Sequence, residues 1–108
     1  GERIAEANKR VAGWLKDIRD SGDYNELNDV SELKVGNTYF EFYGEDAQLR
    51  HLGKFIKEEQ EGYSNYTYGN NFKLIFDNYE LTGFNKGGEV YPPVTSLKGR
   101  VFETNVAA

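Results

Sequence analysis

The period of the hydrophobic pattern changes once along this chain, and that change restricts the fold more than any other feature. In ERIAEANKRVAGWLKDIRDSG, Ile4, Ala7, Val11, Trp14, Leu15 and Ile18 recur at intervals of three and four. On a wheel of 3.6 residues per turn they fall within one stripe about 100° wide. Glu6 stands four residues before Arg10 and Lys16 four before Asp20, spacings that bring opposite charges together on a helix surface. Ser21-Gly22 supplies a stop, because glycine accepts the left-handed cap. From Val35 onward the apolar residues recur instead at every second position, which is the period of a strand.

The strand-like half divides at its glycines and turn residues. VGNTYFEFYG alternates, with Phe40 and Phe42 on one side and Tyr39, Glu41 and Tyr43 on the other. The Phe pair is expected to face the core, since tyrosine tolerates a wet edge better. In LRHLGKFIKEE the alternation breaks at Gly53, which predicts a bulge or a sharp bend. NFKLIFDNYELTGF places Phe72, Leu74 and Phe76 on one face. It then turns at Asp77-Asn78 and returns through Tyr79 to Phe84. NKGGE reads as a turn, Pro92-Pro93 as a break, and SLKGRVFET as a last strand through Val101 and Phe102. The acidic stretch DYNELNDVSEL reads as a connector with at most one helical turn. These readings predict an α+β, mainly β chain. An amphipathic helix (1–22) is followed by an acidic connector (23–33) and a domain (34–108). That domain is either a small, strongly bent antiparallel sheet or a closed barrel.

The helix must bury its stripe. Ile4, Val11, Trp14, Leu15 and Ile18 are expected to pack on the sheet of the same domain, because an isolated helix of this length is marginal. A partner chain is the alternative. The apolar repeat covers under three heptads, too short to argue a coiled coil on its own.

Charge removes some classes of partner. The 108 residues carry a net charge of −5. Residues 1–22 sum to +1, 23–33 to −4, 34–62 to −2 and 63–108 to 0. No segment is basic enough to neutralise a phosphate backbone, so general nucleic-acid binding is not expected. No run approaches the roughly 20 apolar residues of a membrane span, and no polybasic patch is present; the chain reads as soluble. Cysteine is absent, which removes disulfides, thiol nucleophiles and cysteine metal sites. Methionine is absent too, which predicts a processed product or a piece of a longer chain.

KVGNTYFEFY, HLGKFIKEEQEG and FKLIFDNYEL together resemble an SH3-like or Tudor-like barrel. In such barrels a first strand follows a K-x-G step, a bent second strand carries a central Gly-Lys, and a third ends in an F-x-N-x-x-L turn. The L-G-K-F-I stretch with its polar loop also resembles small modules in proteins of large DNA viruses. The resemblance covers about Lys34 to Phe84. It implies a binding or structural module, viral in kind, placed in a virion or a host cytoplasm, with no chemistry of its own.

The chemistry-bearing residues do not assemble into a signature. His51 is the sole histidine, and no serine sits in a G-x-S-x-G context. A calcium loop starting at Asp23 fails at Leu27, Asn28 and Lys34. Gly83, Gly87 and Gly88 fit no phosphate-binding loop. Among the many carboxylates Glu41, on the tyrosine side of its strand, is the one that, if buried against a tyrosine, would act as an acid; the expectation is instead an exposed strand residue paired to Lys or Tyr across the sheet. No catalytic residue, metal or cofactor is expected, with a small carboxylate enzyme as the last alternative. Asn65-Tyr66-Thr67 is a formal glycosylation sequon.

What remains is EGYSNYTYGNNF, 61–72, which holds three tyrosines and three asparagines and no aliphatic residue. Tyrosine with Asn, Ser and Gly gives large contact area at low entropy cost. The expectation is a loop that contacts a protein partner or a second copy of the chain through Tyr63, Asn65, Tyr66 and Tyr68, with Tyr39 and Tyr43 alongside. A Tudor-like aromatic cage for a modified peptide is the alternative.

Overall fold

A computed structural model describes residues 2–43 and 48–106. Gly44, the last residue of the first expected strand, lies outside the described residues. Helix α1 (Glu2–Ser21) is followed by strands β1 (Tyr24–Asp29), β2 (Thr38–Tyr43), β3 (Gln48–Ser64), β4 (Gly69–Phe76), β5 (Glu80–Lys86) and β6 (Ser96–Thr104). They form one antiparallel sheet in the order β1-β6-β2-β3-β4-β5. The outer strands β1 and β5 do not pair with each other, so the sheet is bent and open, and the barrel alternative does not hold.

The bend lies in β3, a strand of 17 residues. Its first part, through Lys54, pairs with β2, and from Phe55 it pairs with β4. Gly53 stands at the crossover with φ of 88°, a conformation that side chains with a Cβ rarely adopt. The β4–β5 turn rests on this point. The Asp77 amide donates to the Lys54 carbonyl at 3.0 Å, and the Asn78 amide to the Leu52 carbonyl at 3.0 Å. The predicted break at Gly53 and turn at Asp77-Asn78 are therefore one device: the turn grips the strand where it bends.

Bending brings the inner faces of the two halves together. Leu27, Tyr39, Leu52, Leu97 and Val101 from one half pack with Phe72, Leu74, Phe76, Leu81 and Phe84 from the other. The Phe72, Leu74, Phe76 face is as the alternation predicts. In β2 the expected faces are reversed. Tyr39 is fully buried in this core, and its hydroxyl accepts a hydrogen bond from the Lys34 amide at 2.8 Å. That bond satisfies the one polar group which would otherwise favour the surface. Phe40 and Phe42 lie on the opposite face, where Phe40 meets Tyr24 and His51 edge-on. Both faces of β2 are covered, so alternation between Phe and Tyr could not tell them apart.

The acidic connector is a strand. Residues 24–29 pair with β6, and Leu27 alone is fully buried among them. As an edge strand β1 can be acidic, because its outward residues meet water. The single helical turn follows at Val30–Glu32. Asp29 accepts from the Ser31 amide, and Glu32 returns to the amide of Asp29.

Helix α1 leans on β1 and β6 by its C-terminal half. The Arg19 guanidinium makes a two-pronged pair with Glu26, at 2.5 and 2.9 Å. A methyl group placed on Gly99 of β6 would lie 3.2 Å from Leu15 Cδ2. The expected packing stripe is only partly covered: Val11, Trp14, Leu15 and Ile18 are half-buried and Ile4 is 65% exposed. The radius of gyration, 15.3 Å, exceeds the roughly 13 Å of a compact chain of this length.

Candidate functional site

The EGYSNYTYGNNF stretch is the tip of the β3–β4 hairpin and not a free loop. Glu61 to Ser64 continue β3, Gly69 to Phe72 begin β4, and only Asn65–Tyr68 form the turn. Ser64 organises that turn, because its hydroxyl oxygen accepts from the amides of Tyr66 and Thr67, each at 3.2 Å. Tyr68 takes a left-handed φ of 55° to close it.

A second segment holds the tip in place. The chain after β5 doubles back through a bridge between Asn85 and Val94 and lies against the turn. The Gly88 amide donates to the Thr67 carbonyl at 3.1 Å. Asn85 is buried; its amide nitrogen donates to Asn71 at 2.7 Å and its oxygen accepts from the Thr67 hydroxyl at 3.2 Å. Gly69 makes the approach possible. A methyl group on it would strike the Lys86 carbonyl oxygen, and would sit 2.5 Å from Gly87 Cα and 2.7 Å from Asn85 Oδ1. The glycines of YTYGNN and NKGG thus face each other across one backbone contact.

On this braced frame the rings point outward. Tyr66 is 79% exposed, and Tyr63 and Tyr68 are exposed as well. Tyr66 stacks on Tyr91, with ring centroids 5.8 Å apart and planes 27° from parallel. Tyr91 comes from EVYPPV, where Val90 is 77% exposed and Pro92, Pro93 and Val94 are exposed too. The surface therefore combines the hairpin tip with the Pro-Pro segment. Sequence reasoning read 61–72 alone and missed Tyr91, Val90 and the two prolines. The glycine pair beside a proline pair was the available signal that this loop is packed against something. Residues 61–72 and 87–95 hold Glu61 and Glu89 and no lysine or arginine.

The remaining expected contact residues lie elsewhere. Tyr39 is core and presents no surface to a partner. Tyr43 belongs to a separate cluster. Arg50 lies with its guanidinium 4.3 Å from the Tyr43 ring centroid and 4.5 Å from that of Tyr79. Glu41 is buried beneath and receives Arg100 at 3.0 Å and Arg50 at 3.6 Å. The Tyr43–Tyr79 gap is thus filled by the chain's own cation, and Tyr66 and Tyr91 lie on each other. Neither pair surrounds an open space of the kind a methylated cation would enter. Phe40 pairs with His51 and Glu41 with Arg50 across adjacent rungs of the ladder, so His51 and Glu41 point to opposite faces of the sheet. The His51 ring is held by the Asn78 side chain at 3.0 Å, a structural bond beside the β3 bend. Among the described residues no cluster of three metal-ligating side chains occurs, and no helix is long and apolar enough to cross a membrane. Comparison of the chain with family models, with curated proteins and with solved structures gave no match.

Proposed function

We propose that this chain is a structural or interaction module that binds a protein partner through the braced hairpin tip. Tyr63, Asn65, Tyr66 and Tyr68 carry the contact, and Tyr91 with the Pro-Pro segment extends it. The observation that carries the reading is that the rings are exposed while the backbone beneath them is closely packed. A chain gains little from holding several aromatic rings of one hairpin tip in water, and exposed apolar side chains gathered in this way mark interaction sites. A contact surface fixed before binding loses less entropy on association. The resemblance over Lys34 to Phe84 supports the same class of role.

The test is the triple substitution Tyr63→Ser, Tyr66→Ser, Tyr68→Ser. Association with a protein partner should be lost, each central ring contributing about 2 kcal/mol or more. Stability should fall only by the loss of the Tyr66–Tyr91 stack, about 1 kcal/mol. Unchanged association with a large fall in stability would overturn the reading.

A further inference from the structure

We propose that α1 is also a dimerisation element, pairing antiparallel with α1 of a second copy. The two long sides of the helix differ. Leu15 and Arg19 face the sheet, at Gly99 and Glu26. At 3.6 residues per turn, Arg3, Arg10 and Asp17 line the opposite flank of the apolar stripe, with Ile4, Ala7, Val11, Trp14 and Ile18 between the flanks. That stripe is left half-covered, and Ile4 is largely in water.

The sequence selects the occupant. Ile4, Val11 and Ile18 stand at one position of a seven-residue repeat, and Ala7, Trp14 and Ser21 at the other. An antiparallel pair places Trp14 against Val11 of the second copy, Ile18 against Ala7 and Ile4 against Ser21. Each bulky residue then meets a smaller one, as a packed interface requires. A parallel pair would set Trp14 against Trp14 and Ala7 against Ala7, a clash beside a void. Charge agrees. The antiparallel arrangement brings Arg10 of each copy beside Asp17 of the other, and two-fold symmetry repeats the attraction. Among the described residues neither side chain is in an ion pair within its own chain. The repeat is too short to hold an isolated coiled coil. Here the helix is already ordered by its contact with β1 and β6, so pairing does not bear the cost of forming it.

Light scattering over a concentration series into the high-micromolar range should show twice the chain mass for the unmodified protein. In a dimer of R10D two carboxylates would meet at each of these contacts, and in a dimer of D17R two guanidinium groups. Both residues are exposed, so the fold should be unaffected. Each variant alone should dissociate at least about tenfold more readily. Mixing the two variants restores an attractive pair at both contacts and should return the dimer mass. The triple Tyr63, Tyr66, Tyr68 variant should dimerise normally. The inference is overturned by a monomer at every concentration, or by single variants that dimerise like the parent. It is equally overturned by a mixture that fails to pair, or by loss of the dimer in the tyrosine variant.

Discussion

Gly53→Ala tests how the bend is built. The substitution adds one methyl group, and the structure gives it two costs. The first is conformational: φ of 88° puts the residue in a region where an L side chain costs about 1–2 kcal/mol. The second is steric. The added carbon would lie 2.8 Å from the Asp77 Cβ and 3.3 Å from the Asn78 side-chain nitrogen. Asp77 cannot move freely, because the turn is fixed to β3 by its own amide, by the Asn78 amide and by the Lys54 amide donating to its carboxylate at 3.2 Å. Weakening one or two of these bonds costs about 1 kcal/mol each. The total is about 3 kcal/mol, a large part of the stability of a domain this size. It should lower the melting temperature by about 10–20 °C. The same exchange at Gly13, mid-helix with nothing within 4 Å of the new carbon, should instead stabilise by about 1 kcal/mol. Urea titrations of the two variants beside the parent give both signs in one assay. Gly53→Ala at or above parental stability would refute the account of the bend.

Three further outcomes follow from particular contacts. Trp14→Ala should cost about 1–2 kcal/mol by thermal melting of the dilute protein, less than a fully buried ring, because Trp14 is only half-covered. Asn85→Ala should cost about 1–3 kcal/mol, since it strands the Thr67 hydroxyl and the Asn71 side chain. The Ser31 amide, followed by the Thr95 and Ser31 hydroxyls, holds the Asp29 carboxyl below its ordinary 3.8. A carboxyl lowered in the folded state stabilises above its ordinary value, and that stabilisation is lost as pH falls through the folded value. Denaturant midpoints for Asp29→Asn should therefore fall less steeply below pH 3.8 than those of the parent; equal acid slopes would show that Asp29 contributes nothing.

Much of the architecture was legible because single residue types mark it. The helix stripe, Gly53, Asp77-Asn78 and the Phe72, Leu74, Phe76 face each obey one local rule. What escaped depended on partners distant in sequence. β1 was hidden because an edge strand with one buried residue, Leu27, has no hydrophobic alternation to display. The faces of β2 were misread because Tyr39 finds its hydrogen bond at Lys34, which no pattern within the strand announces. At the site, the exposed tyrosines were legible from their Asn, Ser and Gly surroundings. Tyr91 was not, because the fold of 87–94 onto the turn rests on backbone contacts between glycines.

Amide hydrogen exchange at the hairpin tip tests the central claim most directly. Tyrosine rings that face water on a loosely held loop and on a braced turn look alike from the side-chain surface, but their backbones differ. If the tip is a fixed contact surface, the amides of Gly88, Val94 and Asn85, each bonded to a backbone carbonyl, should be protected. Their protection should approach that of the β4–β5 ladder, and the amides of exposed Glu89 and Val90 should exchange freely. Exchange of Gly88, Val94 and Asn85 at the rate of an unstructured chain would contradict the account.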